Sequence, residues 1–206
     1  MTISYAEFKE QASRLCGIDL SHYKSQQMDR RINSLMSLWK ISGYEEYLEI
    51  LKTDPVRFRQ FIKKLTINVS EFFRNPERFQ ELWEEILPKL LQERAKLKIW
   101  SAGSSNGAEP YSVAIVLREL GAAHRAEILG TDIDEEVLGK ARQGVYSLNE
   151  VKSLPEKLLR KYFREEAGLF HLATEIKEAV TLRKHNLLLD KFETGFDLII
   201  CRNVVI

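Results

Sequence analysis

Two acidic residues stand at the ends of two successive strand-to-helix junctions. Glu109 follows the loop Gly103-Ser104-Ser105-Asn106-Gly107, and Asp132 closes the segment Ala126-Glu127-Ile128-Leu129-Gly130-Thr131-Asp132. In open α/β sheets, ligands gather beyond the carboxyl ends of the strands. A carboxylate opening a helix suits the helix dipole but repels phosphate. A carboxylate ending the second strand can accept two ribose hydroxyls. The pair therefore points to a nucleoside that carries positive charge. Each acid also has a plainer reading. Glu109 can be a helix-start residue, and Asp132 can cap the next helix, a task for which Asp134 competes. The glycine loop is neither GxGxxG nor a P-loop, and no lysine sits where a triphosphate needs one. A third carboxyl end is readable at Cys201-Arg202-Asn203.

The elements that position these residues alternate. Leu97 to Ser101 reads as a strand, Pro110 to Leu120 as a helix ended by Gly121, and Ala126 to Asp132 as a second strand. Asp134 to Arg142 reads as a second helix, stopped by Gly144. Such alternation predicts βαβ units and a parallel sheet. Phe196 to Cys201 is a near-continuous apolar run, as expected for a buried central strand. Leu169 to His185 alternates more loosely and has room for a small antiparallel pair plus one sheet strand. Asn75-Pro76 opens a connecting helix with Phe79, Leu82, Trp83 and Ile86 inward.

The first third reads as helical throughout. Ser4 with Glu7, and Ser42 with Glu45, have capping-box spacing. Asp54-Pro55 is a cap followed by proline at the first helical position. Met28, Ile32, Leu35, Met36 and Trp39 form one apolar stripe. Tyr44, Tyr47, Leu48 and Leu51 form a second, and Phe58, Phe61, Ile62 and Leu65 a third.

Composition narrows the function classes. The chain has 206 residues, 31 basic and 30 acidic, with two cysteines far apart. Near-neutral charge argues against a strong nucleic-acid binder. Cys16 and Cys201 support neither a disulfide framework nor a cysteine-rich zinc cluster, and no metal site is predicted. No apolar stretch reaches the length of a bilayer span. A cytoplasmic, monomeric protein is the expectation. Residues 1–66 hold 11 basic and 8 acidic side chains, net +3, whereas the remainder is net −2.

Four segments together resemble the CheR family of chemotaxis receptor methyltransferases. They are Asn68-Val69-Ser70-Glu71-Phe72-Phe73-Arg74, Trp100-Ser101-Ala102-Gly103 through Gly107-Ala108-Glu109-Pro110-Tyr111-Ser112, Thr131-Asp132-Ile133-Asp134, and Cys201-Arg202-Asn203-Val204. The resemblance covers almost the whole chain. It implies a Rossmann-like α/β domain over 96–206, an all-helical domain over 1–66, a linker and connecting helix over 67–95, and a small antiparallel subdomain near 164–181. It also implies S-adenosylmethionine as methyl donor, S-adenosylhomocysteine as product, and glutamate γ-methyl esters formed on the cytoplasmic part of membrane chemoreceptors.

By position, Asn68, Ser70 and Arg74 match the linker motif that reaches over the cofactor. The family often has Thr at Ser70. Glu109 matches the second acid of Glu-Glu-Pro-Tyr-Ser, with Ala108 departing from the first. Asp132 matches the ribose-binding acid, Asn186-Leu187 the adenine-pocket segment, and Asn203-Val204 the motif beside the methionine part. Arg74 is expected to position, either on the cofactor carboxylate or on the acceptor. Acidic receptor helices suit the basic N-terminal half, where Lys24, Arg30 and Arg31 are candidate contacts.

The acceptor decides how much chemistry the protein must supply. Glutamate ionises near about pH 4.3, so it is already anionic at neutral pH. No general base is required, and none of His22, His124, His171 or His185 is expected to be one. Family members continue past Ile206, so the sheet is expected to look cut short, with an unpaired edge. Three other readings are a nicotinamide dehydrogenase, a nucleic-acid methyltransferase, and a non-enzymatic chemotaxis adaptor with a partial site. Glu109 opposes the pyrophosphate of the first, and the charge balance opposes the second.

Overall fold

Residues 3–16, 20, 25–65 and 70–202 are described by a computed structural model. The chain divides near residue 68 into two units. The first contains helices α1 (Tyr5–Cys16), α2 (Ser25–Trp39), α3 (Tyr44–Thr53) and α4 (Pro55–Leu65). Local chemistry starts them. Glu7 Oε2 accepts from the Ser4 N–H at 2.7 Å, while Ser4 Oγ accepts from the Glu7 N–H at 3.3 Å, a reciprocal cap. Asp54 Oδ1 accepts from the Val56 and Arg57 N–H groups at 2.9 and 3.0 Å, ahead of α4. The Ser42–Glu45 pairing does not form. Gly43 precedes α3, which moves the third helical position to Glu46, and Glu46 accepts from the Ser42 N–H at 3.3 Å. The stripes meet around Tyr47, whose ring lies 4.9 Å from Phe8 and 5.7 Å from Phe61. Met28, Ile32, Leu35, Leu48, Leu51 and Leu65 complete this core.

The second unit begins with α5 (Pro76–Glu81), a π turn (Leu82–Ile86) and α6 (Leu87–Glu93). Pro88 has no N–H to give back to Glu84, and the chain answers with the wider turn, in which the Leu87 N–H reaches Leu82 C=O. Four strands then make a parallel sheet: β1 (Leu97–Ala102), β2 (Ala126–Asp132), β6 (Val180–Lys184) and β7 (Leu198–Cys201), in the order β6-β2-β1-β7. Helix α7 (Ala108–Glu119) packs on the sheet and is buried from Pro110 through Leu117. Helix α8 (Glu135–Gln143) follows β2, with Asp134 Oδ1 capping the Glu136 N–H at 2.9 Å.

A second, antiparallel sheet has the order β3-β5-β4, from β3 (Val145–Tyr146), β4 (Phe163–Glu166) and β5 (Leu169–Leu172). Ala167 and Gly168, both at positive φ, make its hairpin turn. Short helices α9 (Leu148–Val151) and α10 (Glu156–Tyr162) lead into it, and α11 (Thr174–Lys177) leads out to β6. The loosely alternating segment thus splits between two sheets.

Two further expectations are corrected. Ile86 of the connecting helix does not face inward with Phe79 and Leu82 but is exposed, since the π turn ends there. The Phe196–Cys201 run is not a central strand here. Among the described residues β7 pairs only with β1, and Ile199 is 53% exposed. An apolar run is buried only when both faces and both edges are covered.

Candidate active site

The chain leaves β1 for β2 and β6 on one side, then returns to place β7 on the other. The gap between the carboxyl ends of β1 and β7 is therefore the topological switch point, where open α/β sheets hold ligands. The glycine loop, Glu109 and Arg202 lie there.

Backbone bonds set the loop. The N–H groups of Gly103 and Ser104 both donate to Thr131 C=O at 2.8 Å, tying the end of β1 to the end of β2. Gly107 is at φ +84°, and a Cβ there would stand 2.5 Å from the Tyr111 ring. Only glycine gives that turn and lets Tyr111 pack beneath it. Asn106 Nδ2 donates to Glu150 Oε1 at 2.7 Å, and Tyr146 Oη donates to Asn106 C=O at 2.9 Å. The small sheet and α9 thus brace the loop from outside.

Glu109 stands just past the end of this loop, in the first turn of α7, and Asp132 at the end of β2 holds the loop's middle. Ser101 Oγ donates to Glu109 Oε1 at 2.7 Å, and Arg202 Nη1 lies 3.8 Å from Glu109 Oε2. Asp132 Oδ2 accepts from the Ser105 N–H at 2.8 Å, and Oδ1 from the Asp134 N–H at 3.0 Å. Burial pushes both carboxyls above their ordinary range. For Glu109 it prevails over the opposing pull of Ser101, Arg202 and Arg74. For Asp132 it prevails over the backbone N–H groups. Desolvation disfavours an anion without a nearby cation, so a cationic ligand at either acid gains by relieving it.

The linker is pinned by its two phenylalanines. Phe72 sits edge-on to Tyr146 and Phe163, with centroids at 4.8 and 5.0 Å. Phe73 packs 5.1 Å from Phe79, and its N–H donates to Ser112 Oγ at 3.0 Å. With both rings anchored, Ser70 and Arg74 are carried to a narrow cleft of about 30 Å³ that Glu71, Phe79, Gly103, Ser104, Glu109 and Arg202 also line. A larger hollow of about 740 Å³ lies at the opposite, amino end of the strands, around Gly121, His124 and Ala179. It is a wide, shallow dip in which Lys161 pairs with Glu119 and Arg118 with Glu175, and it lies away from the carboxyl ends of the strands, so the smaller cleft is the candidate site.

The remaining predicted residues fall as follows. Asn186 comes two residues after β6, next to His185, whose N–H donates to Asp132 C=O at 2.9 Å. Asn186 Oδ1 accepts from the Leu188 N–H at 2.9 Å, and Leu187 is half-buried. Asn68, Asn203, Val204 and Lys24 lie outside the described residues, as does His22. In the helical unit Arg30 is exposed, whereas Arg31 Nη1 donates to Leu65 C=O at 2.5 Å at the end of α4. His185 is buried against Trp100 and Phe192, with Nε2 unpartnered among the described residues; His124 is exposed and His171 half-buried.

Ser101, Asn75 and Arg202 carry no individual site role in the sequence, where Asn75 reads only as a helix start and Arg202 only as part of a strand's end. The Ser101–Glu109 pair has a local signal, a hydroxyl at a strand's carboxyl end eight residues before a helix-opening acid. Arg202 and Asn75 have none, being 127 positions apart.

The residues present fit a cationic nucleoside. Ser104 Oγ and Ser105 Oγ, on the loop that Asp132 holds, are buried without a partner among the described residues, and such groups call for a ligand or water. Desolvated acids suit an ammonium or sulfonium, Asp132 a ribose, and Arg74 a carboxylate.

Comparison with known proteins agrees. Residues 68–206 match the family described as CheR methyltransferase, SAM binding domain, and residues 3–66 the CheR methyltransferase, all-alpha domain. A chemotaxis protein methyltransferase of Listeria innocua is 41% identical over 204 residues, covering 98% of this chain and 78% of the relative. One of Borreliella burgdorferi is 35% identical over 219 residues, covering 96% and 77%. One of Salmonella typhimurium is 34% identical over 200 residues, covering 92% and 68%.

Proposed function

The chain belongs to the CheR methyltransferase family, and on that premise we propose that it methylates glutamate side chains of chemoreceptors with S-adenosylmethionine. The observation that carries the reading is the pair of desolvated acids, Glu109 after one glycine loop and Asp132 bonded to that loop at Ser105, without a phosphate cradle. When bound, S-adenosylmethionine supplies a methyl group activated by a sulfonium. Glu109 and Asp132 would hold the ammonium and the ribose, and Arg74 the carboxylate.

The chain's own residues then position and dry the site. An acceptor carboxylate oxygen forms the new C–O bond as the C–S bond breaks, and the electron pair stays on sulfur. No proton moves, so no base is needed; the contribution is alignment and water exclusion. Phe72, Phe73 and Phe79 supply the apolar backing. Among the described residues no helix is long and apolar enough to cross a membrane. The charge of the helical unit suits acidic receptor helices.

Calorimetric titration with S-adenosylhomocysteine and with NAD tests the cofactor: binding of the first alone is expected, and binding of NAD alone overturns the reading. Base-labile methyl ester formed on a receptor cytoplasmic fragment tests the reaction. Cofactor binding with no ester on any receptor fragment favours the adaptor.

A further inference from the structure

Three contacts of Arg202 converge on the cleft. Nη2 donates to Asn75 Oδ1 at 2.5 Å, Nη1 lies 3.8 Å from Glu109 Oε2, and the guanidinium carbon stands 5.8 Å from the centre of the Phe79 ring. Asn75 is unusual on two counts. It adopts φ +59°, in the left-handed region, and its side chain makes no cap for α5. An asparagine before a proline-led helix normally gives its carbonyl to the helix N–H groups; this one gives it to Arg202.

The contact with Glu109 is of a different kind. At 3.8 Å it is a charge pair, too long for a hydrogen bond. Glu109 is only 17% exposed and already bonded to Ser101 on its other oxygen. It requires a cation, and any cation brought to it replaces the weakly held guanidinium at little cost. Arg202 is then left at the cleft wall with a planar donor fork, and such a fork matches a carboxylate with two parallel N–H···O bonds.

Resting on the proposed methyl transfer, we propose that Arg202 receives the acceptor's carboxylate: it waits on Glu109 and Asn75, and the arrival of a cationic donor at Glu109 frees it for the glutamate. The structure thereby couples the two substrates, with donor binding preparing the acceptor site. Asn75 and Phe79 keep the guanidinium from swinging away while it changes partners.

The coupling is measurable without turnover. The affinity of the whole chain for a receptor cytoplasmic fragment is measured by fluorescence anisotropy, with and without saturating S-adenosylhomocysteine, whose ammonium is the cation. The wild type is expected to bind a fragment with glutamate acceptor sites about tenfold more tightly with S-adenosylhomocysteine present. A fragment with glutamine at those sites shows no such gain. Arg202→Gln keeps S-adenosylhomocysteine affinity within about threefold, by calorimetry, and loses the gain; Arg202→Lys keeps part of it. A gain that persists in Arg202→Gln, or its absence from the wild type, overturns the proposal. So does a fall in cofactor affinity as large as the loss of coupling, which makes Arg202 a cofactor contact. Should Arg202→Gln not fold, Asn75→Gly keeps the left-handed backbone and removes the anchor; an undiminished gain there overturns the proposal too. A wild type that binds no S-adenosylhomocysteine defeats the parent reading, and that measurement involves no Arg202 variant.

Discussion

Ser101 Oγ donates to Glu109 Oε1 at 2.7 Å, from the next-to-last residue of β1 to the first turn of α7. Both residues are largely out of water. Glu109 is thus fixed in direction before any ligand reaches it, and it is kept short of solvation. Glu109→Gln removes a charge that burial disfavours and leaves the shape intact. The expected result is unchanged or slightly raised unfolding stability together with S-adenosylhomocysteine binding weakened about tenfold to a hundredfold, roughly 1.4 to 2.7 kcal/mol. Thermal unfolding and calorimetry on one preparation check both halves. Glu109→Gln combined with Asp132→Asn is expected to abolish binding.

The upward push on both acids gives a pH dependence of definite sign. Folded, Glu109 and Asp132 hold their protons to higher pH than their ordinary values of 4.5 and 3.8. Between the ordinary and the raised values the folded chain binds more protons than the unfolded one, so these groups make stability fall as pH rises through that window. A cation bound at the acids selects their ionised form. Cofactor affinity is therefore expected to weaken on acidification before an ordinary carboxylate titrates, and Glu109→Gln to flatten that profile. Calorimetry across a pH series reads both.

Gly107 carries a demand of its own. At φ +84° with the Tyr111 ring in the way, alanine meets backbone strain and a clash at once. Tyr111 cannot yield cheaply, because it is buried and its hydroxyl donates to Ala141 C=O at 3.0 Å. Gly107→Ala is expected to cost about 2 to 4 kcal/mol in denaturant unfolding.

The two described basic candidates of the helical unit separate by structure. Arg30 is exposed, while Arg31 closes the end of α4 through Leu65 C=O. Arg30→Glu is expected to weaken receptor methylation at low salt by about tenfold and to leave cofactor affinity and stability alone. Arg31→Glu is expected to lower stability as well. Kinetics beside thermal unfolding distinguish the two.

No histidine is expected to carry a proton in the reaction. Glutamine at His22, His124 or His171 should leave turnover within about tenfold, about 1.4 kcal/mol. His185→Gln is expected to lower stability through lost packing on Trp100 and Phe192, with turnover of the folded fraction within the same limit. A loss of several orders of magnitude in a well-folded variant of any one restores a general base.

What could be read from residues alone was whatever is decided within a few positions along the chain. The Ser4–Glu7 box, the Asp54 and Asp134 caps and the strand ending at Asp132 stand where their spacing put them. So does the succession of strands and helices that makes the sheet parallel. The capping box at Ser42 was displaced by one residue because two glutamates, Glu45 and Glu46, compete for one place and only the start of α3 selects between them. Glu109 and Asp132 could be picked out as a pair because each stands at a strand-to-helix junction.

Folding in three dimensions decided the rest. Only the strand order puts Cys201 beside Ala102, and so makes the gap at Arg202 the switch point. Only packing brings Arg202 to Asn75, and Glu150 to Asn106. It also gives Arg31 a carbonyl to close, and leaves the apolar strand at Ile199 on an edge. Periodicity and caps act through backbone torsions and neighbours a turn away, so the chain carries them on its face. Strand order and long-range ion pairs depend on which distant surfaces bury each other, and no spacing along the chain encodes that.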